Sequence, residues 1–219
     1  MENERHEKQG AIFLDRDGVI NENPEFYVKS WDEFHFFPGT LKALHDLAEF
    51  PWPILIITNQ SAVGRGIISQ EALEEIHAQM LEKIRAAGGR IDGIYVCPHV
   101  PDAGCQCRKP QPGLLLQAAQ DWNLDLEGSL MIGDSLSDFQ VAQSVSMHSI
   151  LINPDRTEHH LMKTDGLARF DLLEPITRLD LVVEQLIVRY RSHTKIERPV
   201  DMVYFASQGE FVQPGKTLE

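Results

Sequence analysis

The apolar run Ala11-Ile12-Phe13-Leu14 is followed at once by Asp15-Arg16-Asp17-Gly18. Two carboxylates two positions apart at the end of a buried strand are placed for chemistry. One can attack phosphorus, and both can share a hard divalent cation through oxygen ligands. Gly18 lets the chain turn away sharply behind them. The competing reading is an acidic surface loop, because most Asp side chains are solvated.

Other stretches carry matching chemistry. A second apolar run ends in Thr58-Asn59-Gln60-Ser61 and continues through Gly64-Arg65-Gly66. A hydroxyl and successive amides at a strand end can hold phosphate oxygens, although Thr and Asn there also form ordinary turns and caps. A further run ends in Gly133-Asp134-Ser135-Leu136-Ser137-Asp138. Asp134 holds the place in its strand that Asp15 holds in the first, a natural third carboxylate for the same cation. Asp138 has two readings: an acid orienting a lysine or a metal-bound water, or a helix N-terminal acid favoured by the macrodipole. Arg108-Lys109-Pro110 sets two cations ahead of a helix start, where they can neutralise charge on a transferring phosphoryl group. The alternative is an exposed charged turn.

All three cysteines fall in one short stretch, as Cys97, Cys105 and Cys107, with His99 among them. An odd count argues against a disulfide framework. Three thiolates and an imidazole match the Cys3His set of closed, structural zinc sites, which would pin the loop delivering Arg108 and Lys109. The alternative is a group of free thiols with a chance histidine.

Positioning these residues requires strands whose carboxyl ends gather at one edge. The apolar runs predict strands over Ala11–Asp15, Pro53–Thr58, Ile91–Cys97, Ser129–Gly133 and Ser149–Ile152. Between them lie two amphipathic stripes: Leu41, Leu44, Leu47 and Ala48, then Leu73, Ile76, Met80, Leu81 and Ile84, the second with Ser69 as N-cap and Gly88-Gly89 as stop. A third helix is expected from Pro112 through Leu115, Leu116 and Ala119, and a fourth after Asp138. Alternating strands and helices predict an α/β fold: a doubly wound, Rossmann-like parallel sheet with helices on both faces, a small zinc-binding loop over residues 97–107 and no large cap domain. The organisation expected is a polar extension over residues 1–10, one domain over 11–190 and a tail of unassigned structure over 191–219. Within the domain, Asn153–Gly166 reads as a loop, Ala168–Leu173 as an edge strand and Pro175–Tyr190 as a last helix with Ile176, Leu179, Val183, Leu186 and Ile187 inward.

The chain has 219 residues, 42% hydrophobic and 24% charged, as in an ordinary globular domain. No apolar stretch reaches spanning length and the N-terminus is polar, so a cytoplasmic location without membrane partners is expected. The net charge of −13 argues against nonspecific nucleic-acid binding. With no extended apolar face in evidence, a monomer is expected.

Phe13-Leu14-Asp15-Arg16-Asp17-Gly18, Ile57-Thr58-Asn59-Gln60-Ser61, Lys109-Pro110 and Gly133-Asp134-x-x-x-Asp138 resemble, in order, the four motifs of the haloacid dehalogenase superfamily of phosphatases. The resemblance covers residues 11 to about 152 and implies a magnesium-dependent phosphatase. It implies Asp15 as the nucleophile that becomes an aspartyl-phosphate, and Asp17 as general acid and then base. It further implies Thr58 and Lys109 as holders of the phosphoryl oxygens, and Asp15, the Asp17 backbone carbonyl and Asp134 as magnesium ligands. The cysteine loop narrows the resemblance to heptose 1,7-bisphosphate phosphatases and histidinol-phosphatases. Asn59-Gln60-Ser61-Ala62-Val63-Gly64-Arg65-Gly66 is similar to the heptose pattern, whereas histidinol-phosphatases carry Asp after the Gln. Asn23, in a stretch similar to a heptose substrate loop that includes Tyr27-Val28, is the corresponding sugar-side residue, and Val19 and Ala62 depart from the usual Thr and Gly. The reaction implied is removal of the 7-phosphate of D-glycero-D-manno-heptose 1,7-bisphosphate, on the route to nucleotide-activated heptose for lipopolysaccharide core. Asn23, Thr58, Asn59, Gln60, Ser61, Arg65, Arg108 and Lys109 would bind the substrate. Histidinol phosphate is the rival substrate, and a catalytically silent phosphosugar-binding protein the rival class.

Overall fold

The computed structural model describes residues 8–23, 27–152, 178–192 and 196–201. Its strands are β1 (Ile12–Leu14), β2 (Ile54–Asn59), β3 (Gly93–Cys97), β4 (Leu130–Gly133) and β5 (His148–Leu151), all parallel in the order β3-β2-β1-β4-β5. The helices are α1 (Thr40–Leu47), α2 (Ser61–Gly64), α3 (Gln70–Ala86), α4 (Gly113–Trp122), α5 (Leu136–Ser144) and α6 (Leu179–Ser192). Ile12 and Leu14 of β1 lie in register with Ile54 and Ile56 of β2 and with Leu130 and Ile132 of β4. They share one core with Leu44, Met80 and Val183 from α1, α3 and α6. Phe13, in register with Leu55 and Met131, faces the opposite core with Leu115 of α4 and Val141 of α5. Burial on both faces explains why these strands read as unbroken apolar runs.

The chain passes from β1 to β2 on one side and reaches β4 on the other, so strand order reverses beside β1. In such a sheet the crevice beyond the carboxyl ends at that reversal is the usual ligand site. The opposite edge is closed by residues 196–201: the Trp52 indole donates to the Glu197 carbonyl at 2.9 Å and Val200 is buried.

The α/β sheet is as expected, but several local readings are corrected. The fourth helix begins at Leu136, not after Asp138, because Ser135 takes the N-cap position and Asp138 falls in the first turn. Pro112 is the cap before α4, one residue earlier than its expected place inside the helix. Leu116 is 53% exposed, because the inward face of α4 runs through Leu114, Leu115 and Ala118. β3 starts at Gly93 rather than Ile91, since the Asp92 carboxylate takes the Ile54 N–H at 2.8 Å. Ser69 caps α3 as expected, accepting from the Ala72 N–H at 3.2 Å. In α6, Leu179, Val183, Leu186 and Ile187 are buried as expected. Ile176, the expected loop over Asn153–Gly166 and the expected edge strand over Ala168–Leu173 lie outside the described residues.

Candidate active site

At the carboxyl edge, the Lys109 ammonium lies 2.9 Å from Asp15 Oδ2 and 2.6 Å from Asp138 Oδ1, and donates to the Ile57 carbonyl at 2.9 Å. Lys109 and Asp138 are buried, whereas the Asp15 side chain keeps 13% exposure toward the crevice. Both readings of Asp138 hold at once. Its Oδ2 accepts from the Ser135 N–H at 3.1 Å and hydroxyl at 2.6 Å, which starts α5, and its Oδ1 meets Lys109. Asn59 clamps the lysine from the backbone side: its Oδ1 accepts from the Lys109 N–H at 3.1 Å and its amide donates to the Lys109 carbonyl at 3.2 Å. A β2 strand end thus sets where a residue fifty positions later presents its charge.

Asp15, Asp134 and Asp138 each bring a carboxylate oxygen within 4.8 Å of the others. Burial, and then the repulsion of Asp138 and Asp134 against the pull of Lys109, push the Asp15 carboxyl up to about 8. Burial and Asp138 likewise push Asp134 up to about 7. One lysine does not balance three acids, and a hard divalent cation on the free oxygens of Asp15 and Asp134 would. Gly18 makes room for this grouping. It has φ +86°, and a Cβ there would lie 1.8 Å from Asp134 Oδ2, so a side chain here would be strained and would displace the Asp134 carboxylate.

The Asp17 carboxylate is not one of that group. Arg16 grips it, with Nη2 at 2.6 and 2.8 Å from its two oxygens and Nε at 3.1 Å. Asn21 donates to it at 2.9 Å and Gln60 at 2.7 Å. Burial alone would raise this carboxyl, but the Arg16 charge and these donors outweigh it and hold it below the usual range. The Gln60 amide also donates to Thr58 Oγ1 at 2.8 Å, so in this state its amide nitrogen ties Thr58 to Asp17.

The HAD-hydrolase-like family profile matches residues 106–186. A Pseudomonas aeruginosa D-glycero-beta-D-manno-heptose-1,7-bisphosphate 7-phosphatase is 36% identical over 170 residues, 77% of this chain and 96% of that protein. The chain belongs to the haloacid dehalogenase-like phosphatases. It is a phosphoric monoester hydrolase. A Bordetella bronchiseptica protein of the same name is 44% identical over 131 residues, 60% of this chain and 73% of its own. The crystal structure of a D,D-heptose 1,7-bisphosphate phosphatase from B. bronchiseptica, complexed with magnesium and phosphate, superposes with TM-score 0.69 at 36% identity, covering 82% of this chain and 99% of that one.

Beside the carboxylates, the phosphatase carries its cysteine loop at the end of β3. Cys97 Sγ lies 3.3 Å from Cys107 Sγ, 3.7 Å from Cys105 Sγ and 3.6 Å from His99 Nδ1, which is 3.2 Å from Cys107 Sγ. Zn–S bonds of about 2.3 Å set tetrahedral sulfurs about 3.8 Å apart, so four donors already converge on a volume the size of one ion. Burial, and then the Cys107 contact, push the Cys97 thiol up to about 12. The loop meets the segment after β2 directly. Cys97 pairs with Asn59 in the sheet, the Gln60 N–H donates to the Cys97 carbonyl at 2.7 Å, and the Gly64 N–H donates to the Pro98 carbonyl at 2.9 Å.

Toward solvent, the Ser61 hydroxyl lies 3.5 Å from Tyr27 Oη. That contact, with the Arg65 and Arg108 guanidiniums, holds the Tyr27 phenol below its ordinary value. Arg108 also donates to the His99 carbonyl at 3.2 Å. Arg65 and Asn23 are exposed, and residues 24–26 after Asn23 lie outside the described residues. Sequence reasoning assigned no role to Arg16 or to His77, whose Nε2 is 3.1 Å from Arg16 Nη1. The available signal was a histidine on the apolar stripe of α3, between Leu73 and Met80.

Proposed function

We propose that the phosphatase removes the 7-phosphate of D-glycero-D-manno-heptose 1,7-bisphosphate through an aspartyl-phosphate on Asp15, yielding a heptose 1-phosphate for nucleotide activation. The observation that carries the chemistry is the Asp15–Lys109 pair, a largely buried oxygen nucleophile that keeps a small opening to the crevice beside a buried cation. Similarity over nearly the whole length of a heptose 7-phosphatase supports the substrate.

In the first step an Asp15 oxygen attacks phosphorus and the ester P–O bond breaks. Lys109 and the Thr58 hydroxyl hold the non-bridging oxygens, and the leaving sugar alkoxide takes a proton from Asp17. The resting Asp17 is a carboxylate, and the phosphoryl dianion arriving beside it favours its protonated form. In the second step water attacks the aspartyl-phosphate, Asp17 accepts its proton, and the P–O bond to Asp15 breaks to release phosphate. Asp15, the Asp17 backbone carbonyl and Asp134 would hold Mg2+, which supplies charge neutralisation for the phosphoryl group and for the crowded acids. Cys97, His99, Cys105 and Cys107 would hold a structural Zn2+; with four protein donors the ion has no open position. Ser61, Arg65, Arg108 and Tyr27 line the outer rim, where the second phosphate and the sugar would lie, with Asn23 on the sugar side.

The test is kcat/KM with Mg2+ for heptose 1,7-bisphosphate in both anomers against histidinol phosphate. The expected result is a preference for one heptose anomer of at least about tenfold, the size of effect that one lost charge-assisted contact produces. Preference for histidinol phosphate, or no hydrolysis of any phosphomonoester, overturns the reading.

A further inference from the structure

Arg16 is a charged side chain with 1% exposure, which is costly unless every donor finds a partner. Its Nε and Nη2 are used by Asp17, and the Phe34 ring lies 6.0 Å from its guanidinium carbon. The remaining nitrogen, Nη1, is met at 3.1 Å by Nε2 of His77. A guanidinium only donates, so His77 Nε2 must be the acceptor, and the imidazole must be the neutral tautomer with its proton on Nδ1. Burial, and then the Arg16 charge, push the imidazole down to about 4, in keeping with a neutral ring. His77 is itself 8% exposed and sits on the inward face of α3 with Leu73 and Met80, so helix packing fixes its ring. A chain of contacts therefore runs from a helix remote in sequence, through one buried cation, to the carboxylate that handles protons.

We propose that His77 is a positioning residue for proton transfer: as a neutral acceptor it locks the Arg16 guanidinium, which in turn fixes the orientation of Asp17. The inference rests on the phosphatase reading and adds to it a residue outside the four motifs. Without an acceptor at position 77, Arg16 Nη1 is a buried donor that loses the partner it has among the described residues. The guanidinium then tilts toward other acceptors, and Asp17 loses the grip that aims it. Misaiming of this size costs about 10- to 100-fold in rate. The loss falls on kcat rather than KM, because neither His77 nor Arg16 is placed to touch the substrate.

The experiment compares wild type, His77→Phe, which fills the space without an acceptor, and His77→Gln, whose Oε1 can stand near the place of Nε2. Expected for His77→Phe is a kcat lowered about 10- to 100-fold with KM within about threefold, and for His77→Gln recovery of at least about a third of wild-type kcat. In single-turnover assays, phosphorylation by the sugar phosphate should slow in His77→Phe. With p-nitrophenyl phosphate, whose leaving group needs no proton, the same step should change by less than about threefold. Equal slowing with both substrates, or a kcat in His77→Phe equal to wild type, overturns the inference while leaving the phosphatase reading intact. Wild type inert toward every phosphomonoester overturns both. If His77→Phe does not fold, 15N NMR of the wild-type imidazole decides: an unprotonated Nε2 supports the inference, and a protonated Nε2 at pH 7 overturns it.

Discussion

The oxygen cluster of Asp15, Asp134 and Asp138 and the sulfur–nitrogen cluster of Cys97, His99, Cys105 and Cys107 share one edge of the sheet and are built on opposite plans. The oxygen cluster grows from central strands, with a lysine already inside it and carboxylates that crowd each other. Its donors are hard, incomplete as a shell and open to the crevice, which is how a site that must exchange ligands is made. The sulfur cluster grows from the edge strand β3 and the loop beyond it, with its four donors in two pairs each two residues apart. Its donors are soft and complete, which suits a clip. Asn59 joins the two plans: it pairs with Cys97 in the sheet and holds the Lys109 backbone by both amide atoms. On the proposed reading, chemistry and its support are divided between the two clusters, and that division can be tested from either side.

The sharpest break is Asp15→Asn. Loss of the nucleophile is expected to lower turnover by about a thousandfold or more. The melting temperature should hold or rise, because a carboxyl pushed up to about 8 is a destabilising group when charged. A turnover near wild type would refute the aspartyl-phosphate route.

Next is Cys105→Ala, which opens the clip. Zinc content by elemental analysis should fall from about one ion per chain to none. The melting temperature should drop by roughly 10 °C, the shift that about 3 kcal/mol produces in a domain of this size. Activity should fall with it as the loop before Lys109 loosens. Unchanged melting and activity would show that the cysteines carry no support for the site.

The smallest effect separates the two clusters by pH. Asp15 and Asp134 are raised to about 8 and about 7 from 3.8, so the folded metal-free protein binds more protons than the unfolded chain across that interval. Their contribution is therefore favourable at low pH and is lost as pH rises from about 4 to about 8. Added Mg2+ should raise the melting temperature more at pH 8 than at pH 6, by a few degrees, in thermal scans of otherwise zinc-replete protein. An equal gain at both pH values would place the magnesium effect elsewhere.

Much of this was legible in the residue order. Ile12–Leu14, Ile54–Ile57 and Leu130–Ile132 are buried on both faces, which is why plain apolar runs sufficed to find the central strands. β3 was harder to bound, since Asp92 bonds Ile54 through its backbone N–H but meets the Ile54 N–H with its side chain instead of a strand carbonyl. Leu116 misled because its helix is held by Leu114, Leu115 and Ala118, and an exposed leucine is chemically indistinguishable from a buried one in a string of letters. Gln60 and Asn59 were read as substrate residues, yet in this state their amides hold Thr58, Asp17 and Lys109. Amide side chains serve either role, and only their neighbours reveal which.

By itself, the sequence determined the inventory: which strands are buried, which acids end them, and which thiols share a loop. Those follow from hydrophobic periodicity and short-range spacing, both local properties of the chain. Only the tertiary structure decided that Asp138 caps a helix and pairs with Lys109 in one carboxylate, that Asn59 spans both clusters, and that His77 meets Arg16 across sixty-one positions. Such contacts depend on strand order and on how α3 is rotated against the sheet. The physical reason is that a hydrogen bond is set by positions to within a few tenths of an ångström, which packing fixes and residue order does not.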